Sequence, residues 1–209
     1  DDLARRDFTI NAMAYNPVVG LVDCFGGEED LRNGIIKCVG DANIRFQEDA
    51  LRIMRALRFS STYGFKIDRD TSVAMHMNKG LLCNISKERI CAELSKALCG
   101  EYVLYALNHF KALVYVVPEL IPMFGFKQHN KNHNLDVWEH TAKSVKKVRN
   151  DLVLRLTMLF HDIGKPKCAT FEKDDYGHPV GHFYGHPNES ASIARRVMKY
   201  DEVESVYLM

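Results

Sequence analysis

Charged residues with a regular spacing in the segment 47–59 are suited to contacting a nucleotide. Asp49 and Arg52 are three residues apart, and Arg55 and Arg58 continue the same row. On a helix such residues are neighbours on one face. A carboxylate can accept a hydrogen bond from a cytosine amino group, and a guanidinium can donate to a base or a phosphate. The spacing equally fits an intrahelical ion pair on a solvated face, which contributes about 0.3–0.5 kcal/mol.

The apolar residues of the same segment predict the element that positions these side chains. Leu51, Met54 and Leu57 recur at helical spacing, and Ala50 and Ile53 widen the stripe. This pattern is typical of an amphipathic helix whose apolar face enters a core and whose charged row stays outside. We therefore expect one continuous helix through the whole segment, which a glycine ends soon afterwards.

A second charged cluster lies near the start of the chain, in the octapeptide R-R-D-F-T-I-N-A. Arg6 and Asp7 stand there at the beginning of a short helix that we expect over residues 5–16. An aspartate at this position stabilises a helix N-terminus, and it can also accept a hydrogen bond from a ribose hydroxyl. A helix cap with an adjacent salt bridge explains the same residues, so the local pattern leaves both interpretations open.

Taken together, the two segments are similar to a known family. The octapeptide resembles the ribose-reading motif of the tRNA nucleotidyltransferases (CCA-adding enzymes) and bacterial poly(A) polymerases, and E-D-A-L-R at residues 48–52 resembles their base-reading motif. The order and separation of the motifs also match, and the resemblance covers essentially the whole chain. It implies an enzyme that adds C and A to the tRNA 3′ end from CTP and ATP, with base selection by the protein itself.

The resemblance assigns roles to single residues. Asp49 and Arg52 would pair with the incoming base, while the remaining charged residues would contact the sugar and phosphates. The nucleotide-binding residues implied in this way are Arg6, Asp7, Asp49, Arg52, Arg55 and Arg58.

Catalysis in this family uses Mg²⁺ held by two carboxylates on a strand behind a glycine-serine loop, and the metal bridges the triphosphate. No convincing loop with paired acids occurs in this sequence. The chain begins at Asp1, without a methionine, and leads directly into a motif. We therefore expect a fragment whose catalytic part lies upstream and which transfers no nucleotide by itself.

A histidine-rich region follows in the last third of the chain. His140 and the adjacent pair His161 and Asp162, within F-H-D-I-G-K-P, resemble the pattern by which HD domains bind a divalent metal. Imidazole and carboxylate groups are suitable ligands for a divalent transition metal that also polarises a phosphate. His182 and His186 are candidates for additional ligands, and His129 and His133 are weaker ones. Polar residues of a degenerate domain would give the same pattern without a metal.

The family pattern requires a closing aspartate, which is not securely present. Asp201 is the one nearby acid that can be nominated, and the pattern suggests a ligand after Met209.

Composition sets the remaining limits. The chain has 209 residues with a net charge of +1, so any RNA contact needs a local basic stripe. Its six cysteines contain no CxxC pair, which favours reduced thiols in a cytoplasmic protein. No apolar run is long enough to cross a membrane.

The helical patterns predict a mainly α fold in three parts. These are the end of an α/β nucleotidyltransferase head (1–40), a helical neck and body (41–125) and a partial helical HD domain with a short hairpin (126–209). Pro118 and Pro122 break the helical pattern near the second boundary.

Three other functions remain open on the sequence alone. A poly(A) polymerase of the same superfamily shares these motifs. A metal-dependent phosphohydrolase would place its activity from residue 126 onward and use the front half only for binding. A non-enzymatic RNA-binding remnant would bind tRNA with a strong salt dependence.

Overall fold

The computed structural model describes residues 2–109, 114–129 and 135–198, and it is mainly helical as predicted. The chain divides into two compact units, Asp1–Val116 and Val117–Met209. The second unit begins directly before Pro118, at which the sequence pattern breaks. The division into three parts stays a prediction. No helix in the described ranges is long and apolar enough to cross a membrane.

The first unit combines six α-helices, three short 3₁₀ helices and four short strands within its described residues. The helices are α1 (Gly27–Asn33), α2 (Ala42–Glu48), α3 (Leu51–Tyr63), α4 (Arg69–Asn78), α5 (Lys87–Leu98) and α6 (Val103–Asn108). The strands are β1 (Met13–Asn16), β2 (Gly20–Asp23), β3 (Ile35–Ile36) and β4 (Lys66–Ile67). β1 and β2 form an antiparallel pair, whereas β3 pairs in parallel with β4. The core lies where α3 packs against α5 and α6.

The prediction of a helix over residues 5–16 is wrong. This segment forms two 3₁₀ turns, Leu3–Arg5 and Thr9–Asn11, followed by β1. Its backbone pairs with the chain after β3, because the Thr9 N–H donates to Lys37 O at 2.9 Å and the Val39 N–H donates to Asp7 O at 3.2 Å. These bonds replace the i→i−4 bonds of a helix.

The prediction of one continuous helix over residues 47–59 is also wrong. α2 ends at Glu48, Asp49 is extended with φ −151°, and α3 begins at Leu51. The Asp49 Oδ1 atom accepts a hydrogen bond from the Leu51 N–H at 3.1 Å, an arrangement that aspartate favours at helix starts. The predicted apolar face is confirmed, since Leu51, Met54 and Leu57 are buried.

The glycine predicted to end the helix is Gly64, which closes α3 in the left-handed conformation with φ 73°. A side chain at this position would also collide with the Tyr102 ring.

The second unit contains four α-helices, one 3₁₀ helix and one hairpin within its described residues. A 3₁₀ helix, Pro118–Met123, precedes α7 (Val137–Lys147), α8 (Leu152–Phe160), α9 (Lys165–Cys168) and α10 (His186–Met198). β5 (Thr170–Lys173) and β6 (Pro179–His182) form the predicted antiparallel hairpin. α8 ends at Phe160, and Lys165 with the following proline begins α9. A proline in the first turn of a helix loses no hydrogen bond.

Candidate nucleotide site and candidate metal centre

Asp7 lies between two arginines of α3. The Arg52 Nε atom is 3.0 Å from Asp7 Oδ1, and the Arg55 Nε atom is 2.6 Å from Asp7 Oδ2. The side chains of Asp7 and Arg52 are only 15% and 12% exposed. Phe8 directs this contact, because its fully buried ring packs edge-to-face on Phe59 at 5.6 Å and ties the octapeptide to α3. The two motifs predicted to bind one nucleotide therefore meet in one ion-pair cluster.

Most donors of Arg52 are already used by the first unit. Besides Asp7, the guanidinium donates to Glu48 Oε2 at 2.8 Å, to Arg45 O at 2.9 Å and to Arg5 O at 3.1 Å. A guanidinium has five N–H donors, so these described contacts leave one. Burial lowers the pKa of Arg52, but the hydrogen bond to Glu48 and the charge of Asp7 outweigh it and raise that pKa. The same bond lowers the pKa of the Glu48 carboxyl.

Asp49 is not the helix-face neighbour of Arg52 that the sequence predicted. It lies in the break between α2 and α3, and its Oδ2 atom accepts a hydrogen bond from Arg89 Nη2 at 3.0 Å. The Asp49 side chain is 34% exposed, so a base edge can reach it. Arg89 belongs to α5 and comes forty residues later, and no local spacing in the sequence pointed to it.

Arg58 points to a partner other than the Asp7 cluster. Its Nε atom donates to Glu93 Oε2 at 2.6 Å, and its guanidinium lies 4.1 Å from the centroid of the Phe59 ring. The Glu93 side chain is only 8% exposed. Arg58 therefore links α3 to α5.

Arg6 has a partner outside the Asp7 cluster. It forms an exposed pair with Asp2, with Nη2 and Oδ2 2.8 Å apart. The structure thus brings Asp7, Arg52 and Arg55 into direct contact and leaves the other three predicted nucleotide residues at separate partners.

In the second unit, three predicted metal ligands converge on one point. One ligand atom from each of His140, His161 and Asp162 lies within 4.8 Å of the others. Asp162 Oδ2 is 3.6 Å from His140 Nε2 and 3.2 Å from His161 Nε2. His186 approaches the other oxygen, with Nε2 3.5 Å from Asp162 Oδ1. The carboxylate itself is buried, with 4% of its side chain exposed.

The hydrogen bonds of the imidazoles suit a cation at this cluster. His161 Nδ1 is 2.7 Å from Met158 O, and His186 Nδ1 is 2.8 Å from Phe183 O. A carbonyl accepts, so each Nδ1 carries a proton, and in the neutral form of each ring the lone pair on Nε2 would face Asp162. Lone pairs that face carboxylate oxygens repel unless a cation or a proton lies between them. The residues present therefore fit a divalent metal.

Lys165 is a member of this cluster that the sequence analysis missed. Its Nζ atom donates to Asp162 Oδ2 at 2.7 Å and to Gln128 Oε1 at 2.9 Å. Burial raises the pKa of Asp162, but the neighbouring His161 and Lys165 side chains outweigh burial and hold that pKa well below its ordinary value. The position of Lys165, three residues after the aspartate, was the signal that could have identified it.

Two further candidate ligands, His182 and His129, have other described partners. His182 is on β6, with Nε2 3.7 Å from Glu172 Oε2 and its ring stacked on Tyr184. The His129 ring packs against Phe171. His133 and Asp201 fall outside the described residues.

Family models match three successive parts of the chain. The poly A polymerase head domain matches residues 1–37, the probable RNA and SrmB-binding site of polymerase A matches 64–124, and the HD domain matches 131–208.

Individual proteins give the same picture. A multifunctional CCA protein of Nitrosococcus oceani is 32% identical over 216 residues, covering 99% of this chain and 51% of that protein. A solved Bacillus stearothermophilus CCA-adding enzyme in complex with CTP is 48% identical over 52% of this chain and 28% of its own, with a TM-score of 0.51. A solved tRNA nucleotidyltransferase complexed with a primer tRNA and an incoming ATP analog is 30% identical. That match covers 76% of this chain and 48% of the solved chain, with a TM-score of 0.55. The chain spans about half the length of the Nitrosococcus relative.

Proposed function

Because the chain belongs to the family of CCA-adding tRNA nucleotidyltransferases and poly(A) polymerases, we propose that its first unit selects CTP and ATP for addition to the 3′ end of tRNA. Asp49 and Arg52 read the base, and Asp7 reads the ribose. The observation that carries this proposal is the direct contact between Arg52 and Asp7, which lie forty-five residues apart in sequence. When bound, Mg²⁺ would neutralise negative charge on the triphosphate. Asp7, Asp49 and Arg52 are not proposed as ligands of this Mg²⁺.

The bonding of each side chain sets what it can offer a base. Asp49 holds an acceptor beside an arginine, so an exocyclic amino group of cytosine or adenine can donate to it. Arg52 has one N–H donor beyond its described partners, which suits a single ring acceptor. Uracil and guanine present a carbonyl oxygen where the amino group would lie, and this oxygen would face the Asp49 carboxylate. The pair therefore favours C and A over U and G.

Nucleotide binding tests this proposal directly. We expect the chain to bind CTP and ATP about tenfold more tightly than UTP and GTP, since one good polar pair discriminates by about 1–3 kcal/mol. Asp49→Ala should reduce that preference to near unity with an unchanged circular dichroism spectrum. Asp70→Ala is the matched control, because Asp70 is an exposed aspartate of α4. Unchanged discrimination in the Asp49 variant would contradict the base-reading role.

Addition of tRNA distinguishes the two family members. A CCA-adding protein should bind tRNA that lacks its terminal CCA together with CTP, whereas a poly(A) polymerase should favour ATP whatever the RNA end. Weak binding of CTP with strong binding of ATP would support the polymerase.

We further propose that the second unit holds a divalent transition metal on His140, His161 and Asp162, with His186 as an additional ligand. The cluster geometry and the orientation of the imidazole lone pairs support this site. Such a cation supplies Lewis acidity toward a phosphoester, the chemistry of the alternative phosphohydrolase function. His140→Ala should remove stoichiometric metal, and His178→Ala, at an exposed hairpin histidine, should not. Equal metal content in both variants would refute the site.

A further inference from the structure

The amine of Lys165 occupies the oxygen that a metal would use. Asp162 Oδ2 is the carboxylate atom nearest to His140 and His161, and the same atom accepts from Lys165 Nζ at 2.7 Å. The Lys165 residue is 7% exposed, so water screens its charge weakly. An ammonium and a divalent cation on one oxygen repel each other. Lys165 therefore competes with the metal for Asp162.

Gln128 offers the amine a second acceptor. It is 1% exposed, and its Oε1 atom accepts from Lys165 Nζ at 2.9 Å. Its Nε2 atom donates to Leu135 O at 3.3 Å, which fixes which end of the amide faces the lysine. The backbone is held as well, because Gly181 packs directly on Gln128 O with no room for a side chain. The acceptor is thus built into the fold.

An aromatic ring also lies beside the Lys165 amine. The Nζ atom lies 5.6 Å from the centroid of the Phe183 ring, which favours a cation. An ammonium has three N–H donors, so Asp162 and Gln128 together use two. Loss of the Asp162 contact would leave the amine with Gln128 and the ring rather than unpaired in the interior.

We propose that Lys165 gates the metal centre: its ammonium holds Asp162 Oδ2 when no cation is bound, and Gln128 is the acceptor that retains the ammonium when a cation takes that oxygen. This inference rests on the metal site proposed above. Lys165 and Gln128 act as positioning residues, since they set how tightly Asp162 and the histidines bind the cation without binding it themselves. The cluster is thereby stabilised in the metal-free chain and its metal affinity is moderated.

Titration of the chain with Mn²⁺ by calorimetry tests the gate. Mn²⁺ is a suitable probe because it prefers oxygen and imidazole ligands over the six cysteines. Lys165→Met keeps the aliphatic length and removes the charge, so we expect Mn²⁺ to bind about tenfold more tightly. Gln128→Met removes the second acceptor and confines the amine to Asp162, so binding should weaken severalfold. Lys167→Met is the matched control, since this lysine of the same helix pairs with Glu189 at the surface, and it should change nothing.

The melting temperature, measured with and without Mn²⁺, distinguishes a change in metal affinity from misfolding. Without metal, Lys165→Met should melt below the wild type, because Asp162 loses a partner, and Mn²⁺ should raise its Tm more than that of the wild type. Unchanged or weaker Mn²⁺ binding in folded Lys165→Met, with binding still lost in His140→Ala, would overturn the gate and leave the metal site standing. Absence of Mn²⁺ binding in the wild type and in Lys165→Met alike would overturn both. Binding only in Lys165→Met would support the gate strongly.

Discussion

Arg52 Nε lies 3.0 Å from Asp7 Oδ1, which joins the beginning of the chain to the first turn of α3. The contact is nearly buried, with 12% and 15% of the two side chains exposed. Charged groups at this depth need partners, because desolvation disfavours an unpaired ion. Asp7 satisfies Arg52 and Arg55 together. A carboxylate so placed both stabilises the fold and fixes the guanidinium that is proposed to read the base.

Asp7→Asn should therefore lower stability and nucleotide affinity together. We expect a loss of about 2 kcal/mol in the free energy of unfolding, since both arginines lose a charged acceptor. Urea denaturation followed by circular dichroism measures this. Asp2→Asn is the control, because the Asp2–Arg6 pair is exposed and its loss should change stability far less. Equal effects in the two variants would show that the Asp7 cluster has no special role.

Arg58 should behave differently from Arg52. Its partner Glu93 is buried at 8% side-chain exposure. Arg58→Ala leaves this carboxylate with Lys96 alone, at 3.6 Å, and should lower stability by about 2–3 kcal/mol. The double variant with Glu93→Gln should recover part of that loss, which a double-mutant cycle would detect. Nucleotide affinity, measured where each variant remains folded, should stay within about twofold of the wild type. A large selective loss of affinity in Arg58→Ala would restore the role that the sequence suggested.

Features that depend on residues close together in sequence were predicted better than contacts between distant residues. The apolar period of α3, its terminating glycine and the hairpin depend on neighbouring residues, and the structure confirms them. The break at Asp49 was missed, because a single side-chain bond to the Leu51 N–H decides it against a strong helical period.

Partners distant in sequence were beyond prediction. Arg89 and Glu93 reach Asp49 and Arg58 only because α5 packs on α3. The resemblance to a family, by contrast, selected His140, His161 and Asp162 across separate elements, and the structure places them together. It gave no indication of Gln128, whose role depends on where a loop runs.

His109 should make the first unit sensitive to mild acid. Burial, and secondarily the charge of His76, lowers the pKa of His109 below its ordinary value. The unfolded chain therefore takes up the proton first as the pH falls, and the stability that neutral His109 contributes is present above about pH 6.5 and is lost below it. The urea midpoint should fall between pH 7 and 5, and less steeply in His109→Gln.

His178→Gln serves as the comparison, because the side chain of that histidine is 77% exposed. It should follow the wild-type pH profile. Identical profiles for wild type and His109→Gln would assign the acid sensitivity to other groups.

The thiols should differ widely in reactivity. Burial raises the pKa of Cys38 to about 12, whereas Cys24 and Cys83 are exposed. Since the thiolate is the reactive form, iodoacetamide at pH 8 should label the two exposed cysteines first and Cys38 only after unfolding in urea. Peptide mass spectrometry reads each site separately. Rapid labelling of Cys38 in the folded chain would mean that the core beside β3 opens readily.

Gly164 should be intolerant of any side chain because it sits where α9 meets α10. A Cβ atom there would lie 2.7 Å from Ser190 N and 2.8 Å from His186 O, both of them backbone atoms. Gly164→Ala should cost about 1–3 kcal/mol of stability and weaken Mn²⁺ binding, since the shift would displace Lys165 and His186 together. Gly80→Ala, which would meet only the Tyr115 ring at 3.9 Å, should be nearly neutral. Normal Mn²⁺ binding in a destabilised Gly164→Ala variant would mean that the metal ligands do not depend on this packing.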